Sequence, residues 1–140
     1  MEHLRYTPEF LAGILRSTKV IAMVGASANP ARDSNEVMQF LQQRGYRVIP
    51  VNPGLAGKTL LGETVYASLR DIPEQIDMVD VFRNSAAAGP ICDDAIAIGA
   101  KCIWMQLGVT NEDGASRAEA AGLKVVMNRC PKIELPRLAR

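Results

Sequence analysis

The sequence predicts a doubly wound α/β fold, in which helices cover both faces of a five-stranded parallel sheet with the strand order 3-2-1-4-5. Five short apolar runs recur along the chain, and such runs are typical of strands that are buried on both faces. Segments with apolar residues at helical spacing separate these runs and provide the crossovers that parallel strands need. The chain has 140 residues, which is the size of one domain, so we expect a single domain over residues 1–140.

The individual elements are predicted from the apolar runs and from the residues that begin and end helices. Strands are expected at residues 20–24, 47–51, 78–82, 102–106 and 124–127. Helices are expected over residues 8–16, from about 35 to 45, from 85 to 99, from 111 to 121 and from 131 to 136. Thr7 can cap the first of these, within a helical extension over residues 1–16, and Asp33 or Ser34 can cap the second. Pro136 is expected to limit the last helix. Residues 55–65 are predicted as a loop and residues 66–71 as a short helical turn.

Composition and charge argue against several classes of partner. The chain has 16 basic and 15 acidic residues, so electrostatics give no case for nucleic acid or a membrane surface. No apolar run approaches a membrane span, and the N-terminus lacks a signal-peptide core. The three cysteines form no Cys-x-x-Cys pair, which favours free thiols in a reducing cytoplasm. The single histidine is His3, so we expect no metal site and no Ser-His-Asp triad.

The stretch after the first predicted strand has the geometry that receives a phosphate in Rossmann-like domains. Residues 20–24 are followed by Gly25, a loop of small and polar residues, and a helix that begins near Asn35. Free backbone N–H groups and the positive end of the helix dipole would meet there. The dinucleotide fingerprint needs three glycines, but Ser27 and Pro30 replace the second and third. The Ser27 hydroxyl can bond a phosphate, although an ordinary turn without a ligand remains the alternative for this stretch alone.

A ligand of such a sheet binds beyond the carboxyl ends of the strands, at the switch point beside strand one. The residues expected there are Gly25, Ala26, Ser27, Asn52, Pro53, Phe82, Arg83, Met105, Gln106, Gly108, Asn128, Arg129 and Cys130. Strand two carries no acidic residue at its end, where an NAD site usually has one for the ribose hydroxyls. Its absence argues against NAD.

Five blocks of this sequence carry a resemblance to a known family. They are Val-Gly-Ala-Ser-Ala-Asn-Pro, Arg-Val-Ile-Pro-Val-Asn-Pro, Val-Asp-Val-Phe-Arg, Ile-Trp-Met-Gln-Leu-Gly and Val-Val-Met-Asn-Arg-Cys. With these blocks the chain resembles the small stand-alone CoA-binding proteins of bacteria and archaea, over residues 16–135. It is also similar to the N-terminal domain of the succinyl-CoA ligase α subunit. The resemblance implies that CoA lies across the strand ends, with its phosphates on the first loop.

The resemblance also implies roles for individual residues. Gly25, Ala26 and Ser27 would meet the pyrophosphate, Asn52 and Pro53 would border the adenosine, Phe82 and Arg83 would line the groove, and Met105 and Gln106 would face the pantetheine arm. The predicted set is completed by Pro30, Arg32, Ser34, Lys58, Asn128, Arg129 and Cys130. In one departure, Leu55 stands where the ligase domain has a phosphate-binding lysine. Either Lys58 or Arg32 substitutes for that lysine, or the affinity is lower.

Three functions are compatible with these residues. We favour a non-catalytic CoA or acyl-CoA binding protein, because the ligases phosphorylate a histidine in a following domain and His3 cannot take that role. The second interpretation is an enzyme acting on a CoA-linked or other nucleotide-bearing substrate. Its candidate groups would be Cys130, Arg83, Asp80 and Arg129, with the Cys130 pKa lowered by a helix dipole. The third is an interaction domain with a vestigial nucleotide site. A protein partner or a homo-oligomer is compatible with each.

Overall fold

The computed structural model describes residues 2–138 and has a five-stranded parallel sheet with helices on both faces. The strands are β1 (Val20–Val24), β2 (Arg47–Val51), β3 (Thr59–Leu60), β4 (Glu63–Thr64), β5 (Met78–Val81), β6 (Cys102–Met105) and β7 (Lys124–Val126). Strands β3 and β4 form a separate antiparallel hairpin, and the other five form the sheet. The helices are α1 (Pro8–Ser17), α2 (Asp33–Gln43), α3 (Ser85–Ala97), α4 (Glu112–Ala120) and α5 (Pro131–Leu138). The predicted α/β class, with a parallel sheet covered on both faces, is confirmed.

The order of the strands in the sheet is β2-β1-β5-β6-β7. Counted within the parallel sheet alone this is 2-1-3-4-5, so the third strand lies beside β1 and not beyond β2, where the predicted order 3-2-1-4-5 has it. Asp77 fixes this pairing at the start of β5. Its carboxylate accepts the N–H groups of Lys19 and Val20, each at 3.0 Å, and its own N–H donates to Val20 O. The switch point of the sheet therefore lies between β1 and β5.

The core has two layers, one on each face of the sheet. Helices α3 and α4 cover one face with small and branched residues such as Ala88, Ile91 and Ala115. Helices α1, α2 and α5 cover the other face, where Ile14 and Met38 are almost fully buried. Because side chains alternate along a strand, both faces of each central strand are buried and, apart from Asp80 on β5, apolar, as the apolar runs predict. None of the helices within residues 2–138 is long and apolar enough to cross a membrane.

The helix ends agree with the sequence in part. Thr7 Oγ1 accepts the N–H of Phe10 at 3.1 Å and caps α1 as predicted. In contrast, α2 begins at Asp33 with Arg32 as its N-cap, so neither Asp33 nor Ser34 is the cap. The helix expected from residue 85 does begin at Ser85, and Asn84 caps it, because the Asn84 side chain accepts the N–H of Ala87 at 2.8 Å.

Two further segments differ from the prediction. The 55–65 segment, predicted as a loop, contains the hairpin of β3 and β4, whose turn places Leu61 and Gly62 at φ values of 48° and 84°. Two central residues with positive φ are the geometry of a tight hairpin turn. In the last helix, Pro136 lies inside α5, which continues to Leu138. The expectation that Pro136 limits this helix is therefore wrong.

Candidate functional site

A large cavity opens at the carboxyl ends of β1, β2 and β5, where the strand order changes direction. We call it the main groove, and it is lined by residues 24–27, 31–34, 51–53, 67–69, 82–83, 87, 90–91 and 94. Its volume is about 920 Å³, at the upper end of the range for small-molecule sites. The position is the one that the doubly wound topology assigns to a ligand.

Backbone hydrogen bonds decide which amides of the first loop can meet a ligand. The N–H groups of Gly25 and Ala26 both lie on Val51 O, at 3.0 and 3.4 Å. These two amides therefore tie the loop to β2 and leave little for a phosphate. No hydrogen bond within residues 2–138 occupies the N–H groups of Ser27 or Ser34, which both line the groove.

The loop is held in shape by its own side chains. Ser27 Oγ accepts the N–H of Asn29 at 3.1 Å, and Asn35 Nδ2 donates to Ser27 O at 2.8 Å. Asn52 Nδ2 donates to Ala26 O at 2.8 Å from the neighbouring strand. Side-chain amides thus take up the carbonyl groups of Ala26 and Ser27, while the Ser27 N–H has no partner within residues 2–138. Such an arrangement favours an anion over a cation.

Some charged side chains of the main groove have ion-pair partners within the protein, and others have none. Asp94 already forms an ion pair with Arg70 at 3.1 Å. Arg32 and Arg83 are exposed and form no ion pair or side-chain hydrogen bond with any residue from 2 to 138. Two guanidinium groups beside free amides can bind phosphate oxygens with charge-assisted hydrogen bonds.

A second, smaller cavity lies on the other side of Phe82 and Arg83. We call it the side chamber, and it is lined by residues 33, 36–37, 82–83, 106–107, 109, 130 and 132–133, with a volume of about 580 Å³. It shares Asp33, Phe82 and Arg83 with the main groove. A ligand that lies across the strand ends can therefore occupy both cavities.

A buried polar pair lies behind the side chamber. Gln106 Nε2 donates to Asp80 Oδ1 at 2.7 Å, while Asp80 Oδ2 is buried without a hydrogen bond in the described chain. Burial raises the pKa of Asp80 to about 7, although the bond from Gln106 acts in the opposite direction. The sequence suggested Asp80 only as a candidate group of the enzymatic alternative, and the structure shows that its side chain faces Gln106.

The structure brings most of the predicted residues together. Those that line the main groove are Gly25, Ala26, Ser27, Arg32, Ser34, Asn52, Pro53, Phe82 and Arg83. Gln106 and Cys130 line the side chamber, which Phe82 and Arg83 also line. Of the two candidates for the missing lysine, Arg32 lies at the groove, whereas Lys58 is exposed outside both cavities.

Four other residues of the predicted binding set lie outside both cavities, as does Gly108 after the fourth strand of the sheet. Met105 is fully buried in the core, so its side chain cannot face a pantetheine arm. Asn128 Oδ1 accepts the N–H of Gly108 at 2.7 Å, and Arg129 lies 5.1 Å over the ring of Tyr6. Pro30 is exposed at the tip of the first loop. The positions of these four residues depend on the tertiary structure and could not be read from their places in the sequence.

Sequence reasoning missed the α3 wall of the main groove. Ala87, Pro90, Ile91 and Asp94 line it from α3, and residues 67–69 line it from the segment that leads into a short 3-10 turn at Leu69–Asp71. Helix α3 reaches this position because β5 lies directly beside β1. No local signal in the sequence indicates that β5 pairs with β1, so the sequence could not predict that these residues line the groove.

Cys130 differs from its predicted chemistry. It immediately precedes α5, and its carbonyl accepts the N–H groups of Ile133 and Glu134. Burial raises the pKa of its thiol, although backbone N–H groups of Lys132 and Ile133 act in the opposite direction. The helix end therefore contributes as predicted, but burial outweighs it and the net shift is upward.

The sequence matches the model of the CoA binding domain family over residues 19–136. The chain belongs to this family. The uncharacterized protein YneT of Bacillus subtilis (strain 168) is 36% identical to it over 120 residues, which are 86% of this chain and 87% of that protein. Membership of the family supports CoA binding and confirms the resemblance noted in the sequence.

Solved structures show the same fold. A hypothetical protein from Pyrococcus horikoshii OT3 has a TM-score of 0.92 at 40% identity, with 100% of both chains covered. The dinucleotide forming acetyl-coenzyme A synthetase 1 of Ca. Korarchaeum cryptofilum, in its apo form, has a TM-score of 0.65 at 25% identity. That match covers 76% of this chain but only 25% of the synthetase chain. The similarity is therefore to one part of the larger synthetase chain.

Proposed function

We propose that this protein is a single CoA-binding domain over residues 1–140, which binds CoA or an acyl-CoA without transforming it. The diphosphate of the ligand lies on the first loop and the start of α2. The adenosine lies toward Asn52 and Pro53, and the pantetheine arm passes Phe82 toward the side chamber. The protein acts in the cytoplasm. This location agrees with its three free, buried cysteines, because free thiols persist in reducing compartments.

One observation carries this proposal. The amides of Ser27 and Ser34 and the guanidinium groups of Arg32 and Arg83 all line one groove, and no residue from 2 to 138 occupies them. Free donors and unpaired cations at the switch point of a doubly wound sheet favour a phosphate-bearing ligand. Membership of the CoA binding domain family supports CoA as that ligand.

The enzymatic alternative receives less support from the geometry. Its nucleophile would be Cys130, whose side chain is 8% exposed and whose pKa is raised by burial. A thiol of this kind carries little thiolate at neutral pH and is a poor nucleophile. Arg129 lies on Tyr6 and lines neither cavity. Arg83 and Cys130 share the side chamber and Asp80 lies behind it, but the weak nucleophile and the distant Arg129 leave the set named for catalysis incomplete.

The test is isothermal titration of the protein with CoA, with NAD and ATP as comparison ligands. We expect heat and a raised melting temperature with CoA, because a ligand that binds only the folded state stabilises it. Ser27→Asp is the decisive variant. Aspartate can still accept the Asn29 N–H and preserve the turn, but its charge repels the phosphates. Binding is expected to weaken by roughly two orders of magnitude, as for the loss of charge-assisted bonds.

Ser116→Asp is the matched control, because Ser116 is exposed on α4 and lines neither cavity. It introduces the same charge and should leave CoA binding unchanged. A wild-type protein that gives no heat with millimolar CoA would contradict the proposal. If Ser27→Asp and Ser116→Asp bind CoA with equal affinity, the phosphates do not lie on the first loop.

A further inference from the structure

Asp80 is a carboxyl group in a place where a charge is costly. It is 0% exposed on β5, between Met23 of β1 and Trp104 of β6, which are its neighbours in the sheet register. Its Oδ2 has no hydrogen-bond partner within the described residues. A buried carboxyl without a cationic partner destabilises a fold. A carboxyl group kept in such a place at the switch point is typical of a residue that positions its neighbours.

Gln106 connects Asp80 to the side chamber. Its Nε2 donates to Asp80 Oδ1 at 2.7 Å, and its side chain lines the chamber. Gln106 Oε1 has no partner among residues 2–138. An ionised carboxylate only accepts hydrogen bonds, so it requires the NH₂ group of Gln106 to face it. The amide oxygen is then left for whatever enters the chamber.

A proton on Asp80 removes this requirement, because the carboxyl group can then donate as well as accept. The protonated carboxyl has an O–H that can donate to Gln106 Oε1, once the amide group has turned over. The NH₂ group of Gln106 then faces the chamber. The side chamber therefore offers a hydrogen-bond acceptor when Asp80 is ionised and a donor when Asp80 is protonated.

Free CoA and acyl-CoA differ in whether their reactive end donates or accepts a hydrogen bond. Free CoA ends in a thiol, whose S–H is a donor, whereas a thioester has a carbonyl oxygen that only accepts. Resting on the proposed function, we propose that Gln106, positioned by Asp80, distinguishes the thiol of CoA from the carbonyl of an acyl-CoA in the side chamber. Gln106 is the residue that touches the ligand, and Asp80 is a positioning residue that acts through it.

The electrostatic surroundings allow Asp80 to change its charge in the neutral range. Burial raises the pKa of Asp80 to about 7. The titratable groups that interact electrostatically with Asp80 are the thiols of Cys102 on β6 and Cys130 before α5. Burial raises the pKa of both thiols. The charged residues lining the chamber, all exposed, are Asp33, Glu36, Arg83 and Lys132. Solvent screens these four, so the desolvated Asp80 is the group expected to titrate near neutrality.

The experiment measures the dissociation constants of CoA and acetyl-CoA between about pH 5.5 and pH 8, below the usual pKa of a thiol. Both ligands carry the same phosphates, so the ratio of the two constants cancels titration of the phosphates and of the main groove. In the wild type, preference for acetyl-CoA over CoA should rise roughly three- to tenfold from high to low pH, the size of one hydrogen bond.

Two variants test the roles of the pair. Asp80→Asn is isosteric and cannot titrate, so its ratio should be independent of pH. Gln106→Met removes the hydrogen-bonding group and should also abolish the pH dependence. Asp113→Asn is the matched control, because Asp113 is exposed on α4 and lines neither cavity. It should follow the wild type at every pH.

The side-chain amide signals of Gln106 in ¹⁵N NMR spectra of the wild type give a second measurement that does not depend on how the variants fold. These signals should shift with the same midpoint as the ligand ratio. A ratio that is constant with pH in the wild type, an Asp80→Asn variant that keeps the wild-type profile, or Gln106 signals that do not titrate would overturn the inference. Any of these results with intact CoA binding leaves the proposed function standing, whereas the proposed function itself fails only if neither ligand binds.

Discussion

A Cβ atom on Gly25 would lie 2.3 Å from the carbonyl oxygen of Phe82, because the turn after β1 passes directly against the end of β5. Phe82 N also donates to Val24 O at 2.8 Å. Gly25 has a φ of +93°, which side-chain-bearing residues rarely adopt. Backbone is therefore packed on backbone at the switch point, and the mouth of the main groove depends on a residue without a side chain.

Replacing Gly25 by alanine should destabilise the protein by about 3–5 kcal/mol, among the largest effects of single substitutions. The added methyl group forces β1 and β5 apart, in addition to the strain of a positive φ. Urea unfolding monitored by circular dichroism measures the change.

Gly122→Ala is the control for this substitution. Gly122 has nearly the same φ, +94°, but nothing lies within 4 Å of its added Cβ. Gly122→Ala should lower the free energy of unfolding by about 1–2 kcal/mol, the cost of the positive φ alone. Equal losses in the two variants would show that the contact with Phe82 contributes nothing.

Arg32 and Arg83 should each contribute to the binding of the CoA phosphates. We expect Arg32→Ala and Arg83→Ala to weaken CoA binding by roughly 10- to 100-fold, the range for a hydrogen bond to a charged group. The salt dependence of the affinity should also become shallower, since exposed charges are screened by salt. Titration calorimetry at several salt concentrations measures both effects.

Comparison of CoA with dephospho-CoA separates the two arginines. An arginine that binds the diphosphate weakens both ligands equally, whereas one that binds the 3′-phosphate affects CoA alone. Arg16→Ala is the control, because Arg16 is exposed on α1 and lines neither cavity. If Arg16→Ala weakens binding as much as the other two, the effect is one of net charge and not of contact.

The sequence was sufficient for the positions of the main strands because each is a continuous apolar run buried on both faces. It was not sufficient for their order, which depends on bonds between Asp77 and Lys19 or Val20, some 58 residues apart. The hairpin of β3 and β4 was missed for a local reason. Its turn contains Leu61 at positive φ, where a sequence signal would be asparagine or aspartate before glycine.

The candidate site was predictable to the extent that it follows from topology. Ser27, Asn52 and Phe82 follow strands that end at one edge of the sheet, and all three line the main groove. Which amides are free was not predictable, because Gly25 and Ala26 direct theirs to Val51 O on another strand. Met105 was misplaced because one position along a strand changes the face to which its side chain points.

Asp80→Asn should stabilise the protein in a way that depends on pH. Burial raises the pKa of Asp80 from 3.8 to about 7, so the folded state keeps a proton that the unfolded state has already released. Stability therefore falls as the pH rises between these two values and levels off above the higher one. The asparagine variant does not titrate. Its advantage over the wild type should grow from near pH 4 to about pH 8 and approach the order of 4 kcal/mol.

Asp77→Asn is the control of opposite sign. Burial acts to raise the pKa of Asp77, but bonds from Val20 and Lys19 and the charge of Lys101 outweigh it, and the pKa is lowered. Its ionised form therefore stabilises the fold above its unfolded pKa, and this stabilisation is lost as the pH falls through the folded pKa. Urea unfolding of both variants and the wild type from about pH 2 to about pH 8 measures the two trends, because the Asp77 effect appears only below its unfolded pKa. A free-energy difference between Asp80→Asn and the wild type that stays constant from about pH 5 to pH 8 would mean that Asp80 is ionised throughout, with an ordinary pKa.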